Sequence, residues 1–290
     1  LEHEEQIGEL FRSGKAKVVV VFEKDFEKGL RTENRAAVRL ITDASDANSA
    51  QLAQNYIQGV LLSHFRDLNK DVSLPWNVEL KTRMYYNQEL KGVSMFVPGL
   101  MAMILMLISA LMTSVTITRE KEFGTMELLL ASPLKPREII LGKVTPYLLL
   151  SLVNAASIIL LGFLVFKVPV VGSLWLLLAE CMLYISLALS LGVLISTSAR
   201  TQQMAMVMSL LGLLLPTILL SGFIFPIDNM PRILQWFSTI IPARYFIVIV
   251  KNIMLKGTGL AFIWKETLIL AAMTFFFILS ATRRFKIRLK

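Results

Sequence analysis

Cysteine and histidine are nearly absent from this chain: Cys181 is its one cysteine, and His3 and His64 are its two histidines, among 290 residues. Cys181 lies inside an apolar run, so neither a disulfide framework nor a cysteine metal site is available. The histidines stand far apart with nothing at ligand spacing, which removes a histidine metal centre as well. A phosphate-binding loop is also missing. Gly14-Lys15 and Gly142-Lys143 both lack the upstream glycine and the following hydroxyl of G-x-x-x-x-G-K-[ST], so the chain has no backbone cradle for a nucleotide and is not expected to hydrolyse ATP. Long stretches lack charge altogether.

What is present follows from that last absence. The chain is 55% hydrophobic, with a mean hydropathy of +0.62, far above a soluble domain. Residues 1–91 hold 13 Lys/Arg against 14 Asp/Glu, net −1, whereas residues 92–290 hold 17 against 7, net +10. We therefore read a water-soluble front domain, 1–91, and a membrane-embedded remainder, 92–290. The basic excess flanks apolar spans, which argues for charge bias across a membrane and against a nucleic-acid partner.

A hydrocarbon core about 30 Å thick needs about 20 apolar helical residues. Five spans are predicted, at about 93–117, 144–166, 173–198, 201–227 and 262–282. Within the last, the uncharged stretch Thr267–Thr282 is only 16 residues long, so Trp264 and flanking basic residues are expected to anchor it. If the spans alternate, 11 Lys/Arg fall on one side and six on the other, placing the loop 118–143 and the C-terminus in the cytoplasm. Residues 1–91 are then extracytoplasmic, and a further span preceding residue 1 is expected, six in all.

The front domain reads as α/β, with strands at Val18–Phe22, Val38–Thr42 and Val78–Tyr86. Between the last two, DASDANSAQLAQNYIQGVLLSHF opens on capping residues and continues with helical periodicity. Asp43 and Asp46 lack the further acidic ligands of a calcium loop and are read as turn and cap residues.

The loop REKEFGTMELLLASPLKPREIILGK carries five charges in its first nine residues. Phe123, Met126 and Leu130 define an apolar stripe beside the polar Glu120, Lys121 and Glu122, and Ser132-Pro133 stops the helix. Such a helix is either a docking surface or an interfacial helix without a partner, and periodicity alone does not choose. Pro226 to Glu266 mixes Trp236, Phe237, Ile240, Ile241, Tyr245 and Phe246 with three prolines and the charges of Asp228, Arg232 and Arg244, a pattern suited to dipping into a membrane rather than crossing it. Arg244 there either contacts an anionic headgroup or substrate or anchors to carbonyls. Glu180 is the one acidic residue that interrupts an otherwise uncharged span; a proton relay, a hydrogen bond to Tyr184 or a neighbouring helix, and a substrate contact all remain open.

The loop resembles the first cytoplasmic loop of ABC type-2 transporter permeases, in which a charged run, Gly-Thr, leucines and a proline break form the coupling helix. A second likeness lies in Phe225-Pro226, Met230-Pro231, Ile241-Pro242-Ala243-Arg244-Tyr245 and Lys256-Gly257, landmarks similar to that family's extracytoplasmic re-entrant region, here about 226–260. The form is similar to the multidrug-type branch, and VVVVFEKDFEKGL resembles the branch's extracytoplasmic domain. The resemblance covers nearly the whole chain. It implies a polytopic α-helical membrane permease in a bacterial inner membrane, powered by a cytoplasmic ABC ATPase that carries the ATP and Mg. It further implies a second permease copy or paralogue, lipid contact and a periplasmic adaptor. Coupling then falls to Arg119, Glu120, Glu122, Phe123, Gly124, Thr125, Met126 and Leu130. Asn154, Glu180, Tyr184, Arg244 and Tyr245 are the candidate substrate path. An ion-coupled secondary transporter and a membrane-anchored receptor are the rival classes.

Overall fold

The shift from period-2 to helical patterning along the chain has a structural counterpart. The computed structural model describes residues 4–22, 26–33, 35–68, 77–126 and 136–284, and its contacts divide the chain into two compact units, Leu1–Met95 and Phe96–Lys290.

In the first unit, α1 (Glu4–Arg12), β1 (Val18–Phe22), α2 (Phe26–Glu33), β2 (Arg35–Asp43), α3 (Ala47–Leu68) and β3 (Asn77–Tyr85) build a three-stranded sheet in the order β1-β2-β3. β1 runs antiparallel to β2, pairing Val19 with Ile41, and β3 runs parallel to β2, pairing Val38 with Leu80. The parallel pair requires a crossover, which α3 supplies. Central placement explains why Val38, Leu40 and Ile41 of β2 are all buried: successive side chains point to opposite faces, and both faces are covered. On one face Ile7 and Phe11 of α1 pack with Val19 and Ile41, and the Phe11 ring meets Tyr85 edge-on at 5.6 Å. Asp46 caps α3, its Oδ1 accepting from the amides of Asn48 and Ser49 at 3.1 Å each, while Asp43 accepts from the Ser45 amide. Both carboxylates act as turn and cap groups.

The second unit is helical: α4 (Val93–Glu122), α5 (Pro136–Leu164), α6 (Leu174–Ser198), α7 (Gln202–Leu220), α8 (Arg232–Ser238), α9 (Pro242–Met254) and α10 (Leu260–Arg284). Among the described residues α4, α5, α6, α7 and α10 are long and apolar enough to cross a membrane, and α8 and α9 form a pair bent by 81°. Several boundaries differ from the sequence reading, and the helix of the second span begins at Pro136 rather than at 144. The fourth span stops at Leu220 rather than Ile227, because Gly222 takes a left-handed φ of +79° and turns the chain. The first long helix runs past Ile117 to Glu122 and takes the charges Arg119–Glu122 into its own last turn. α7 also contains a π-helical turn at Leu210–Leu214 that hydropathy does not reveal.

α6 is the centre of this unit, packing on α5, α7, α9 and α10. Its Tyr184 is fully buried, stacked on Phe246 of α9 with ring centroids 4.0 Å apart, and its hydroxyl donates to the Ala102 carbonyl of α4 at 3.1 Å. Gly192 lets α4 come close. A Cβ there would lie 2.5 Å from the Ala110 carbonyl oxygen and 2.9 Å from Thr113. Small hydroxyls reinforce the approach: Ser109 donates to Ser151 at 2.8 Å, and Ser114 and Ser209 share a hydrogen bond of 2.9 Å. The link before α6 is tied to the end of α9, with the Val171 and Gly172 amides donating to the Met254 and Ile253 carbonyls at 3.0 Å.

Two glycines give opposite expectations. Gly192→Val should cost about 1–3 kcal/mol by overpacking. Gly59→Ala in α3, where an added Cβ meets nothing within 4 Å, should stabilise by about 0.5–1 kcal/mol. Thermal unfolding of the detergent-purified protein checks both signs.

Candidate functional site

The last turn of α4 gathers the charges. Consecutive residues on a helix are separated by about 100°, so three in a row fan out toward three neighbours. Glu120 turns to α5 and accepts from Lys143 Nζ at 2.5 Å. Lys121 turns to α6 and donates to the Ser196 carbonyl. Glu122 turns to α7, its Oε2 accepting from the Gln202 amide at 2.9 Å and from Gln202 Nε2 at 3.0 Å.

Helix-end electrostatics explain the two last partners. Ser196 lies in the final turn of α6, where carbonyls have no intrahelical donor and the macrodipole is negative, so an ammonium is favoured. Gln202 opens α7, where amides are unsatisfied and a carboxylate is favoured; Thr201 caps the same end, its hydroxyl accepting from the Met204 amide. Lys121 and Glu122 thus straddle the short link between α6 and α7 with complementary charge.

Beyond Glu122 the helix breaks. Gly124 adopts φ +72°, and Thr125 donates back to the Glu120 carbonyl at 3.2 Å and to the Glu120 carboxylate. The break leaves Phe123 at the apex, 66% exposed, with the Arg119 guanidinium 5.7 Å from its ring centre. Gly124 and Thr125 are exposed beside it. Met126 turns inward against Ile117, Ile140, Val193 and Ala281. The stripe read from Phe123, Met126 and Leu130 is therefore interrupted: the turn at Gly124 separates Phe123 from Met126, and Leu130 lies outside the described residues. Glu120 and Glu122, two of the residues to which the resemblance assigns coupling, are bonded within the chain. From Arg119 the described residues form a helix end, a turn at Phe123 and Gly124, and helical residues again at Thr125 and Met126. Sequence reading missed Lys143, Ser196 and Gln202 as partners.

The candidate path residues do not form one constellation. Glu180 of α6 is buried, 3% exposed, and its Oε1 accepts from Thr267 of α10 at 2.8 Å. Tyr184 gives its hydrogen bond to α4 instead of to Glu180. Burying a charge at membrane depth costs on the order of 2.5 kcal/mol or more, so Glu180 is an expensive residue to keep. Thr267 had a legible signal: it sits about two turns into α10, as Glu180 sits about two turns into α6. Asn154 of α5 is half-buried. Arg244 and Tyr245 brace the bend between α8 and α9. Arg244 reaches the Gln235 carbonyl at 3.5 Å and Ser238 Oγ at 3.2 Å, and the Tyr245 hydroxyl donates to the Thr239 carbonyl at 2.9 Å. The carbonyl-anchoring geometry is the one the structure displays for Arg244.

A family model described as ABC-2 family transporter protein matches residues 1–283. The chain belongs to the ABC-2 transporter family. It is 35% identical over 266 residues to the "Probable multidrug ABC transporter permease YbhR" of Escherichia coli K12, covering 92% of this chain and 72% of that protein. It is 33% identical over 249 residues to YbhS of the same strain, described in the same words, covering 85% of this chain and 66% of that protein. It is 28% identical over 268 residues to the "Inner membrane transport permease YhhJ", covering 90% and 71%. This ABC-2 permease is accordingly a multi-pass membrane protein and a transmembrane subunit of an ABC transporter system.

Replacing Lys121 by Met strips the Ser196 carbonyl of its charged donor and should cost about 1 kcal/mol. Amide hydrogen exchange across residues 195–204 should quicken several-fold, with Lys121→Arg recovering most of the protection.

Proposed function

We propose that this permease is the membrane subunit of an ATP-driven exporter that moves amphipathic or drug-like molecules out of the cytoplasm or the inner leaflet. A separate cytoplasmic ABC ATPase binds ATP and Mg and docks on the turn at Phe123. The carrying observation is the division of labour at the end of α4: Glu120, Lys121 and Glu122 are committed to α5, α6 and α7, and the aromatic ring beyond them is left exposed. An exposed phenylalanine on a polar rim suits a protein cleft, and the chain carries no phosphate loop of its own.

Orientation follows from charge. The basic bias supports a cytoplasmic turn and C-terminus, with residues 1–91 outside, in a bacterial inner membrane. The bent pair α8–α9 is the re-entrant element, braced by Arg244 and Tyr245. Two permeases, identical or paralogous, share two ATPases, and the outer domain is the surface available to a periplasmic adaptor. Polar groups at membrane depth, Asn154 and Glu180 among them, contact the cargo, and lateral entry from lipid fits the apolar surroundings. The printed names of YbhR and YbhS point to the same cargo class.

In this arrangement closure of the ATPases pushes the Phe123 turn, and the push reaches α5, α6 and α7 through the three polar contacts of the preceding turn. No step of hydrolysis takes place on this chain.

Two measurements in inverted membrane vesicles test the reading. Uptake of an amphipathic dye should stop on nucleotide depletion and survive collapse of the proton gradient; the reverse pattern would establish an ion-coupled secondary transporter instead. Phe123→Asp should lower dye uptake and substrate-stimulated ATP hydrolysis at least tenfold, with the unfolding temperature unchanged. Full uptake by that variant overturns docking at Phe123.

A further inference from the structure

Glu180 is the only Asp or Glu among the described buried residues. Thr267 supplies one hydrogen bond to Oε1, while among the described residues Oε2 is buried without a hydrogen-bond partner and no ion pair reaches either oxygen. An ionised carboxylate offers about four lone-pair sites, so one hydroxyl leaves it far from satisfied. Its surroundings supply aromatic surface. Tyr184 follows one turn later on the same face of α6, with its ring stacked on Phe246 of α9. The Tyr184 hydroxyl is already committed to Ala102, which leaves the ring as its contribution here.

We propose that Glu180 recognises the positive centre of the cargo, so that this permease selects amphipathic cations. The proposal rests on the exporter reading and names its substrate class. An anion beside aromatic rings in an apolar interior is the arrangement that favours a lipophilic ammonium or phosphonium, whose charge replaces the missing counter-ion while its apolar body stays among apolar side chains. A purely architectural role predicts something different. A contact that merely locks α6 to α10 through the Thr267 hydroxyl needs an acceptor and no charge, and a glutamine amide provides that acceptor in the same volume. Thr267 is the single described hydrogen-bond donor to Glu180 across the seam between α6 and α10.

The experiment compares ATP-driven uptake of tetraphenylphosphonium, a permanent cation, with that of the neutral dye Nile red. Both are measured in inverted vesicles holding the permease with its ATPase. Glu180→Gln should lower the ratio of phosphonium to Nile red uptake at least tenfold. Glu180→Asp, which keeps the charge, and Thr267→Val, which removes only the hydroxyl, should hold that ratio within threefold of the parent. If the glutamine variant is poorly folded, Glu180→Met, which removes the charge in a similar volume, takes its place with the same expected ratio. A Glu180→Gln variant with the parental ratio, whether both uptakes fall together or neither changes, overturns cation recognition. Parental uptake of Nile red alone also overturns it while leaving the exporter intact. Absence of ATP-driven uptake of either dye overturns the exporter reading itself.

Discussion

Lys121 holds the carbonyl end of α6 while its neighbours Glu120 and Glu122 hold α5 and the amide end of α7, and the arrangement of the membrane unit at that end depends on this turn. The constraint behind it is the bilayer. Apolar side chains gain nothing by leaving lipid for one another, so burial cannot by itself choose which helix lies beside which. Charge can choose, but only where water or another polar group is near, which restricts it to helix ends. Three charges in one turn, spaced 100° apart, are an economical way of fixing four helices at once.

Deeper in the unit the same problem is met with smaller groups. Gly192 admits the α4 backbone, and Gly99 faces the Phe223 ring, where a Cβ would fall 1.8 Å from a ring carbon. The serine pairs joining α4 to α5 and α7, and the Thr116–Tyr147 hydrogen bond of 2.7 Å, satisfy their own polar atoms and fix rotation of one helix against the next. Each is worth on the order of 0.6 kcal/mol, so their effect lies in specificity and in their number.

The positions of the spans were legible because a window of about 20 apolar residues has few soluble explanations. The strands were legible for a similar reason: alternation survives in VVVVF and its partners, and the end registers moved by only a few residues. The end of α7 was not legible, since Ser221 to Ile227 is uncharged and hydropathy is blind to the left-handed φ of Gly222. The charged segment was found, but its partners within the chain were not. Periodicity sees a helix face, whereas the partners of Glu120, Lys121 and Glu122 lie 23, 75 and 80 residues away in sequence. The division of Phe123 from Met126 likewise depends on the conformation of Gly124, which no apolar spacing encodes.

α6 joins the two polar sites. Lys121 grips its last turn, and Glu180 sits near its opposite end. The 16 residues between Glu180 and Ser196 span about 24 Å at 1.5 Å per residue, most of a hydrocarbon core. A continuous helix transmits a displacement along its axis with little loss, because its backbone hydrogen bonds resist stretching and its ends are held. α7 offers a contrasting path. Glu122 grips its start equally well, yet the π-helical turn at Leu210–Leu214 and Pro216 interrupt its regular hydrogen bonding, so it is built to bend. Under the proposed coupling, a single push at the Phe123 turn would divide into a rigid arm, α6, leading to the Glu180–Thr267 contact, and a compliant arm, α7, leading to the bend at Gly222. On that proposal, movement of the first relative to the second would separate α6 from its neighbours, because two helix ends are held by adjacent residues of α4.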